Sequence, residues 1–539
     1  MKKKSFNALK VLRVILAIIV FTPILLFFID FTDILPNSLS RLLQRQLMPA
    51  IFSGAIVTLG IYFLLTLLFG RVYCSVICPA GILQDIFNRL SCIGKKKKNG
   101  KMRFSYHKPA NWFRYTLVGL TAILAIFGIT ELCLLLDPYS NFGRIATNIF
   151  QPAVIWINNI LADILSSKGN YSLYNVSINI PAVSFISGII AFAVFAIMVY
   201  FRGRLFCNTL CPVGALLSLV SRYSFFRISI DENTCNTCKS CERTCKAEAI
   251  DSKNKTVDTS RCVTCFNCTS SCNRNAIKYH FAPTTAFRKS NSRVVNTSEP
   301  TAVSNPVLNT AASSTNTHPA DKLDVSRRSF ITTSAAIAGT APLFALTHNN
   351  KENRKQPVTP PGSLNIERFK DLCTGCHICV VQCPTQILKP AGLEFGLGYV
   401  LKPYVSYERR YCNYSCTICS EVCPTDAIKP ITAEEKKVTQ VGIANFYIDK
   451  CIVKTDKNDC GACSEHCPSQ AVHMVPYEGT LTIPKVEPEL CIGCGGCESI
   501  CPVRPERAIV VIANATHQTA ELPKEEEEVR EVEIDDFGF

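Results

Sequence analysis

Six groups of four cysteines constrain this chain more than any other feature, because thiols at such spacings have few uses. Of 30 cysteines in 539 residues, 24 fall into these quartets. Two quartets in the middle follow Cys-x2-Cys-x2-Cys-x3-Cys: Cys235, Cys238, Cys241, Cys245 and Cys262, Cys265, Cys268, Cys272. Two in the last third keep that spacing and end before Pro: Cys373, Cys376, Cys379, Cys383 and Cys491, Cys494, Cys497, Cys501. The other two are stretched in the first gap, to three residues in Cys412, Cys416, Cys419, Cys423 and to eight in Cys451, Cys460, Cys463, Cys467. A [4Fe–4S] cluster takes three thiolates from one tight loop, and in two-cluster arrangements the fourth comes from the neighbouring quartet. That rule groups Cys235, Cys238 and Cys241 with Cys272, and Cys262, Cys265 and Cys268 with Cys245. For the last four quartets the sequence leaves two arrangements open, adjacent quartets pairing or the outer two and the inner two.

Zinc sites also use paired Cys-x2-Cys but need neither a third Cys two residues on nor a fourth before Pro. The run Cys373-Thr-Gly-Cys376-His377 matches a c-type haem attachment pattern. Both thiols already begin a regular quartet, and a thioether-bound thiol could not ligate iron. No phosphate-binding Gly-x4-Gly-Lys loop or dinucleotide fingerprint is present. None of the eight His lies in a long apolar segment, which argues against a membrane haem with axial His. The pattern predicts a wire of six [4Fe–4S] clusters, with no haem or flavin evident.

The first part of the chain contains a duplication. Gly70 to Leu83 reads GRVYCSVICPAGIL and Gly203 to Leu216 reads GRLFCNTLCPVGAL, each directly after an apolar stretch. Four stretches have the length and composition of membrane spans: Val14 to Ile29, Leu47 to Gly70, Trp112 to Leu136 and Ala182 to Phe201. The first follows Met1-Lys2-Lys3-Lys4 like the core of a signal peptide, but no small-residue cleavage site follows it. Residues 1–285 carry 31 Lys+Arg against 12 Asp+Glu, a balance of +19, while the remainder carries 26 against 30, a balance of −4. Beside apolar spans, this excess indicates a positive-inside bias, not nucleic acid. Nine Lys or Arg fall within 71–111, including Lys95 to Lys98, which puts that loop and both ends of the unit in the cytoplasm. Both Cys-x3-Cys-Pro copies share that side, where reducing conditions oppose disulfides.

Ionisable residues within spans mark candidate functional sites. Glu131 sits near the outer end of the third span, with Asp30, Asp33 and Asp137 close to the same surface. All four suit interfacial helix ends; Glu131 is also the candidate catalytic residue, accepting a proton from a quinol. Cys-x3-Cys places two thiols one helical turn apart. The duplication therefore predicts that Cys74, Cys78, Cys207 and Cys211 meet at a redox or metal site, rather than serving as small apolar residues at a helix break. Cys92 and Cys133 are expected to be ordinary reduced thiols.

The fold class expected is multidomain: an all-α four-helix transmembrane unit plus α+β ferredoxin-like dicluster modules. The membrane domain spans 1–216 and a two-cluster domain 228–283. A Ser/Thr/Asn/Pro-rich disordered linker covers 284–325. Residues 326–348 hold Ser326-Arg327-Arg328-Ser329-Phe330-Ile331 before an uncharged run to Leu346, similar to a twin-arginine export signal or a fifth span. A four-cluster domain occupies 359–513 and an acidic tail 514–539. If the signal operates, four clusters lie outside the membrane and two inside. A hydrocarbon core of about 30 Å then requires a carrier such as a quinone, or a site inside the helical unit.

Spans, two Cys-x3-Cys-Pro motifs and a following two-cluster unit together resemble the NapH family of periplasmic nitrate respiration. A twin-arginine signal before four quartets resembles NapG, and MauN and MauM share these plans. The chain looks like the two kinds fused. The resemblance implies an inner-membrane quinol dehydrogenase module that relays electrons from the quinone pool to a periplasmic reductase or its carrier. The four-helix plan with Cys-x3-Cys-Pro is also shared with nitrous-oxide-reductase regulators and cytochrome-oxidase assembly proteins. The alternative is accordingly a maturation or regulatory polyferredoxin that keeps a partner metalloenzyme reduced.

Overall fold

The structure is a computed structural model, and it describes residues 8–31, 35, 45–90, 104–128, 130–176, 182–282 and 356–523. Outside these lie the linker, the twin-arginine stretch, Asp33, Cys92, Lys95 to Lys98 and the acidic run from Glu525.

Helix α1, Ala8–Ile29, is apolar along its length and buries Ala17, Phe21, Ile24 and Phe28 on one face. Leu12, Ile15, Ile18 and Ile19 face outward with large exposed areas, as expected of a surface meant for lipid. The second expected span is not one helix. Helix α2, Leu47–Phe52, ends at a turn with Gly54 at φ +70°, and α3 runs only from Ile56 to Phe69. At 1.5 Å per residue α3 is about 21 Å long, short of the hydrocarbon core. Tyr62 in the middle of α3 donates to the Arg45 carbonyl, and Tyr73 donates to Gln46, so the start of α2 re-enters beside α3.

The third span is broken as well, into α5, Asn111–Ile126, and α6, Glu131–Leu136, around Gly128 at φ +76°. The amphipathic helix α4, Pro79–Leu90, precedes them.

Conversely, the stretch after Asp137, expected to be a loop, is helical. Helix α7, Pro138–Ile145, passes through a π turn at Ala146–Phe150 into α8, Gln151–Ser166. Its polar residues are buried because backbone groups and neighbouring side chains satisfy them. The Asp137 carboxylate caps α7 by accepting from the backbone N–H of Tyr139 and Ser140. Arg144 donates to Leu134 O at 2.8 Å, and Ser184 donates to Asn148 at 2.7 Å. Among the described residues three helical stretches are long and apolar enough to cross a membrane: Ala8–Ile29, Pro138–Ser166 and α9, Ala182–Arg202. Ala8–Ile29 and Ala182–Arg202 coincide with two of the four expected spans, and Pro138–Ser166 lies outside them. A short turn at Leu205–Thr209 then leads into α10, Pro212–Ser221.

The cluster-bearing segments are small and strand-poor. In the first, β1 (Phe226–Ile230) pairs antiparallel with β4 (Ile277–Phe281), and β2 (Ile250–Asp251) with β3 (Thr256–Val257). In the second, β5 (Leu388–Pro390) pairs with β6 (Pro403–Val405), β7 (Thr439–Phe446) with β10 (Ile509–Thr519), and β8 (Val472–Pro476) with β9 (Thr482–Val486). Strand β10 corrects one boundary: residues 514–519 belong to this sheet and not to an acidic tail, with Gln518 and Thr519 opposite Gln440 and Thr439.

Two long helices touch both units. Lys10 near the start of α1 donates to Ser270 of the first unit, while Phe27 near its end accepts from Gln382 of the second. Ser184 at the start of α9 lies 3.5 Å from His377 of the second unit, and Gly203 just after α9 packs on Lys246 of the first. Each helix is about 30 Å long, so the units sit at opposite ends of the bundle.

Candidate functional site: the cysteine clusters and the thiol core

The four regular quartets share one loop geometry. Two and four residues after the first Cys the backbone is left-handed: Thr237 and Lys239, Thr264 and Phe266, Gly375 and His377, Gly493 and Gly495. These turns wrap the loop so that three sulfurs can face one centre. The stretched quartets lack them, with Thr417 and Gly461 at φ −116° in the later position. In every quartet but the last, the residue three beyond the fourth Cys is left-handed: Glu248, Asn275, Gln386, Asp426 and Gln470. The turn aims backbone N–H groups at sulfur: Ala249 at Cys245 (3.4 Å), Ile428 at Cys423 (3.4 Å) and Ala471 at Cys467 (3.3 Å). Such donors stabilise an anionic cluster and raise its potential.

Five of the six fourth cysteines cross over to the neighbouring quartet. One cavity is lined by Cys262, Cys265, Cys268 and Cys245, a second by Cys412, Cys416, Cys419 and Cys383, a third by Cys451, Cys460, Cys463 and Cys501. Cys423 is in electrostatic contact with Cys373, Cys376 and Cys379, and Cys467 with Cys491, Cys494 and Cys497. The last four quartets therefore pair as sequence neighbours, settling the alternative that spacing left open. Cys235, Cys238 and Cys241 also lie together.

Each cavity offers thiols and no carboxylate or imidazole, a donor set suited to iron–sulfur chemistry. Among the described residues no three His, Cys, Asp or Glu side chains are placed to hold a single metal ion. Burial pushes the Cys262, Cys373, Cys463 and Cys494 thiols up to about 12. Thiolates in these places need a cationic partner such as iron to exist at neutral pH. His377 belongs to the packing, its Nε2 3.0 Å from Leu401 O.

Contacts between groups give a linear order in the second unit. The group completed by Cys423 rests on the helical bundle: a Cβ built on Gly143 would lie 2.5 Å from Cys376 O, and Tyr139 is in electrostatic contact with Cys376 and Cys423. Exchange of fourth ligands makes the Cys412 group its neighbour. Cys412 N–H then donates to Cys494 O at 2.9 Å, which joins the Cys491 group, and the Cys451 group lies beyond. In the first unit the Cys262 group faces the bundle, with Thr264 3.5 Å from where a Gly70 Cβ would be, while Cys238 of the other group is exposed.

The duplicated motifs meet through reciprocal contacts. Arg71 of the first copy donates to Cys207 O of the second at 3.1 Å, and Arg204 of the second donates to Cys74 O of the first at 2.7 Å. Gly81 and Gly214 let each loop close tightly, since a Cβ there would lie 2.2 Å from Cys74 O and 2.1 Å from Cys207 O. All four thiols, Cys74, Cys78, Cys207 and Cys211, are buried and within electrostatic reach of one another. Arg71 Nη2 is 3.7 Å from Cys74 Sγ, Gln84 Oε1 is 3.3 Å from Cys207 Sγ, and the Gly214 N–H points at Cys211 Sγ (3.2 Å). An all-thiol core flanked by guanidinium suits an anionic redox group.

The role of these arginines was not assigned from sequence, although the repeated Gly-Arg was the available signal. Asp85 has no twin and gave none. It binds Arg204, Lys246 and Arg13 together, at 2.8, 2.5 and 2.5 Å. Burial alone would raise this carboxyl, but the three cations outweigh it and hold it well below the usual carboxylate range. Glu131 forms an ion pair at 3.2 Å with Lys402 of the second unit, whose ammonium is fully buried and also donates to Thr130 and Gly398 O. Cys133 is a buried thiol in α6.

Cysteine cavities fed by tight loops define a ferredoxin-type [4Fe–4S] electron-transfer protein, and comparison with known proteins supports that class. The "4Fe-4S binding domain" family model Fer4_5 matches residues 51–100 and 184–230, around the two Cys-x3-Cys-Pro copies. A "4Fe-4S dicluster domain" model matches 458–504 and a further "4Fe-4S binding domain" model 366–389. The chain is similar to the methylamine utilization ferredoxin-type protein MauN of Methylobacillus flagellatus, 26% identical over 36% of this chain and 53% of that protein. MauM of the same organism is 29% identical over 33% of this chain and 77% of its own length. The ferredoxin-type protein NapF of Escherichia coli is 26% identical over 27% of this chain and 80% of its own. The match to MauN thus spans about half of that protein. No solved structure matches.

Proposed function

We propose that this chain is a membrane-bound quinol dehydrogenase module, a NapH-like and a NapG-like part in one polypeptide, relaying electrons through six [4Fe–4S] clusters to an acceptor outside the inner membrane. The observation that carries this reading is that α1 and α9 each contact one cluster unit at either end, with the four-thiol core packed on the first unit through Arg71 to Ser260 O and Asn208 to Ala247 O. Residues 228–283 then lie on the basic, cytoplasmic side and residues 359–523 on the periplasmic side.

Oxidation of one quinol to quinone releases two electrons and two protons. The six cysteine groups would hold [4Fe–4S] clusters, which supply one-electron acceptors for these electrons, and the protons pass to water through side chains at the site. The protein's residues place the thiols: Arg71 and Arg204 lock the two halves of the core, and α7 seats the Cys376 loop on the bundle. Cys74, Cys78, Cys207 and Cys211 would hold a redox group at the first unit's end of the bundle, supplying an electron-transfer step toward the second unit. Clusters held by the Cys423-completed, Cys412, Cys491 and Cys451 groups would give electrons a path in that order. Glu131 is the proposed proton acceptor on the outer side.

The test is anaerobic reduction of the purified protein by a quinol analogue, followed by cluster absorbance and electron paramagnetic resonance. Reduction of every cluster at a turnover rate supports the reading. Slow or absent reduction removes it and leaves a maturation or regulatory polyferredoxin.

A further inference from the structure

A polar cavity lies between the end of α9, the start of α5 and the loop after Cys245. Its walls carry Lys108, Arg114, Arg202, Arg204 and Arg261 against a single acid, Glu248. Two of these charges are already matched elsewhere: Arg204 binds Asp85, and Arg261 Nε binds Asp258 at 2.8 Å. Glu248 pairs with His107 at 3.0 Å. Glu248 also faces Arg202 and Arg261, and Asp258 faces Arg114, so these carboxylates are shared among several cations and the cavity keeps an excess of positive charge.

The donors are unsatisfied too. Arg114 is 2% exposed; its Nη2 donates to Gly214 O and Ser260 O, while Nε and Nη1 have no partner. Arg261 is 5% exposed, and its Nη2 has no partner. A buried guanidinium nitrogen left without an acceptor costs more than a neutral donor, because it belongs to a desolvated charge. A neutral ligand would satisfy the hydrogen bonds and leave the charge.

We infer that this cavity binds a phosphate group. Forked guanidinium donors arriving from separate elements match an oxyanion with several acceptor oxygens better than a single carboxylate. The group could be supplied by an anionic lipid headgroup or by soluble phosphate. The cavity sits at the basic end of the bundle, and Trp112 beside it is 81% exposed, as aromatic residues at a headgroup belt are. Bound there, the phosphate joins Arg114 of the membrane unit to Arg261 of the first cluster unit.

Native mass spectrometry of the full-length, delipidated, iron-loaded protein tests this with three probes: phosphatidylglycerol, phosphate-free diacylglycerol and inorganic phosphate. The expected result is retention of one phosphate-bearing molecule and none of the diacylglycerol. Phosphatidylglycerol that excess phosphate does not displace assigns the lipid source, and saturation by inorganic phosphate alone assigns the soluble one. In the double variant Lys108→Gln/Arg202→Gln affinity should fall about tenfold or more, a change of about 1.4 kcal/mol or more, because two charge-assisted contacts are lost. Arg261→Lys, which keeps the charge but loses the fork, should give a smaller loss if the double variant fails to retain iron. No stoichiometric phosphate binding, or binding undiminished in these variants, overturns the inference.

Discussion

Gly81 and Gly214 carry the closeness of the thiol core, because the carbonyl each one meets belongs to the other end of its own Cys-x3-Cys-Pro loop. A methyl at 2.1 to 2.2 Å from that oxygen forces the loop open. Gly214→Ala should therefore destabilise the protein by about 1–3 kcal/mol, the usual cost of overpacking. Gly119→Ala, in α5 with nothing within 4 Å of its Cβ, should be neutral or gain up to about 1 kcal/mol from helix propensity. Thermal unfolding of the two variants side by side checks this, and equal midpoints would discard the packing argument. His517 gives a second prediction at this scale. Its Nε2 is 2.8 Å from Thr359 Oγ1, and burial lowers its pKa from 6.5 to about 4. The unfolded chain then binds a proton that the folded chain refuses, so stability from this group is complete above pH 6.5 and is lost as pH falls toward 4. For a half-buried imidazole that is about 1–2 kcal/mol. His517→Gln should flatten the decline in unfolding free energy between those pH values; an unchanged slope would assign the acid sensitivity to another group.

At the scale of elements, the cluster loops were legible because three of four ligands are local. Three thiols within seven residues, as at Cys373, Cys376 and Cys379, specify their own loop whatever surrounds it. The crossing of the fourth ligand in the last four quartets was not legible, because it depends on which strands and helices pack together. The helices show the opposite failure. Leu47 to Gly70 reads as one span because hydropathy registers composition, whereas Gly54 and the hydrogen bonds to Gln46 decide where the chain turns. Residues 138–166 read as a loop because Asn141, Arg144, Asn148 and Gln151 look solvent-facing, whereas Asn141, Arg144 and Asn148 donate to carbonyls of their own segment and Gln151 donates to Asp30 O at the end of α1. The crossing makes a direct prediction. Cys383→Ser should remove the cluster held by Cys412, Cys416 and Cys419 while the Cys373 group, completed by Cys423, keeps its own. Iron analysis should show a loss of roughly four atoms. Cys423→Ser should give the same iron loss but a different spectrum. Identical spectra for the two variants would contradict the crossed arrangement.

For the whole molecule the question is what holds the second cluster unit on the bundle, since the proposed path into it requires the Cys376 loop to stay seated. Much of that contact is backbone packing on Gly143 and Gly375, where Leu134 comes within 3.0 Å of a built Cβ. The charged part is Lys402 with Glu131. Lys402 is fully buried, so removing its carboxylate partner leaves an uncompensated ammonium at the joint, a change that costs about 3–5 kcal/mol for a fully buried pair and less here because Glu131 is 24% exposed. Glu131→Gln thus separates two roles for one residue. If Glu131 serves only as a latch, the variant should expose residues 359–523 to faster proteolysis in spheroplasts, and the Cys423-completed cluster should be reduced more slowly even by a small-molecule donor that delivers no protons. If it serves as the proton acceptor, reduction by quinol should slow while reduction by that donor and the rate of proteolysis stay as in the wild type. Lys402→Met discriminates further, since it removes the latch and leaves the carboxylate: quinol oxidation preserved in Lys402→Met and lost in Glu131→Gln assigns the proton role to Glu131. Equal loss in both variants, with faster proteolysis, assigns Glu131 to the joint and moves the search for the quinol proton acceptor elsewhere in the helical unit.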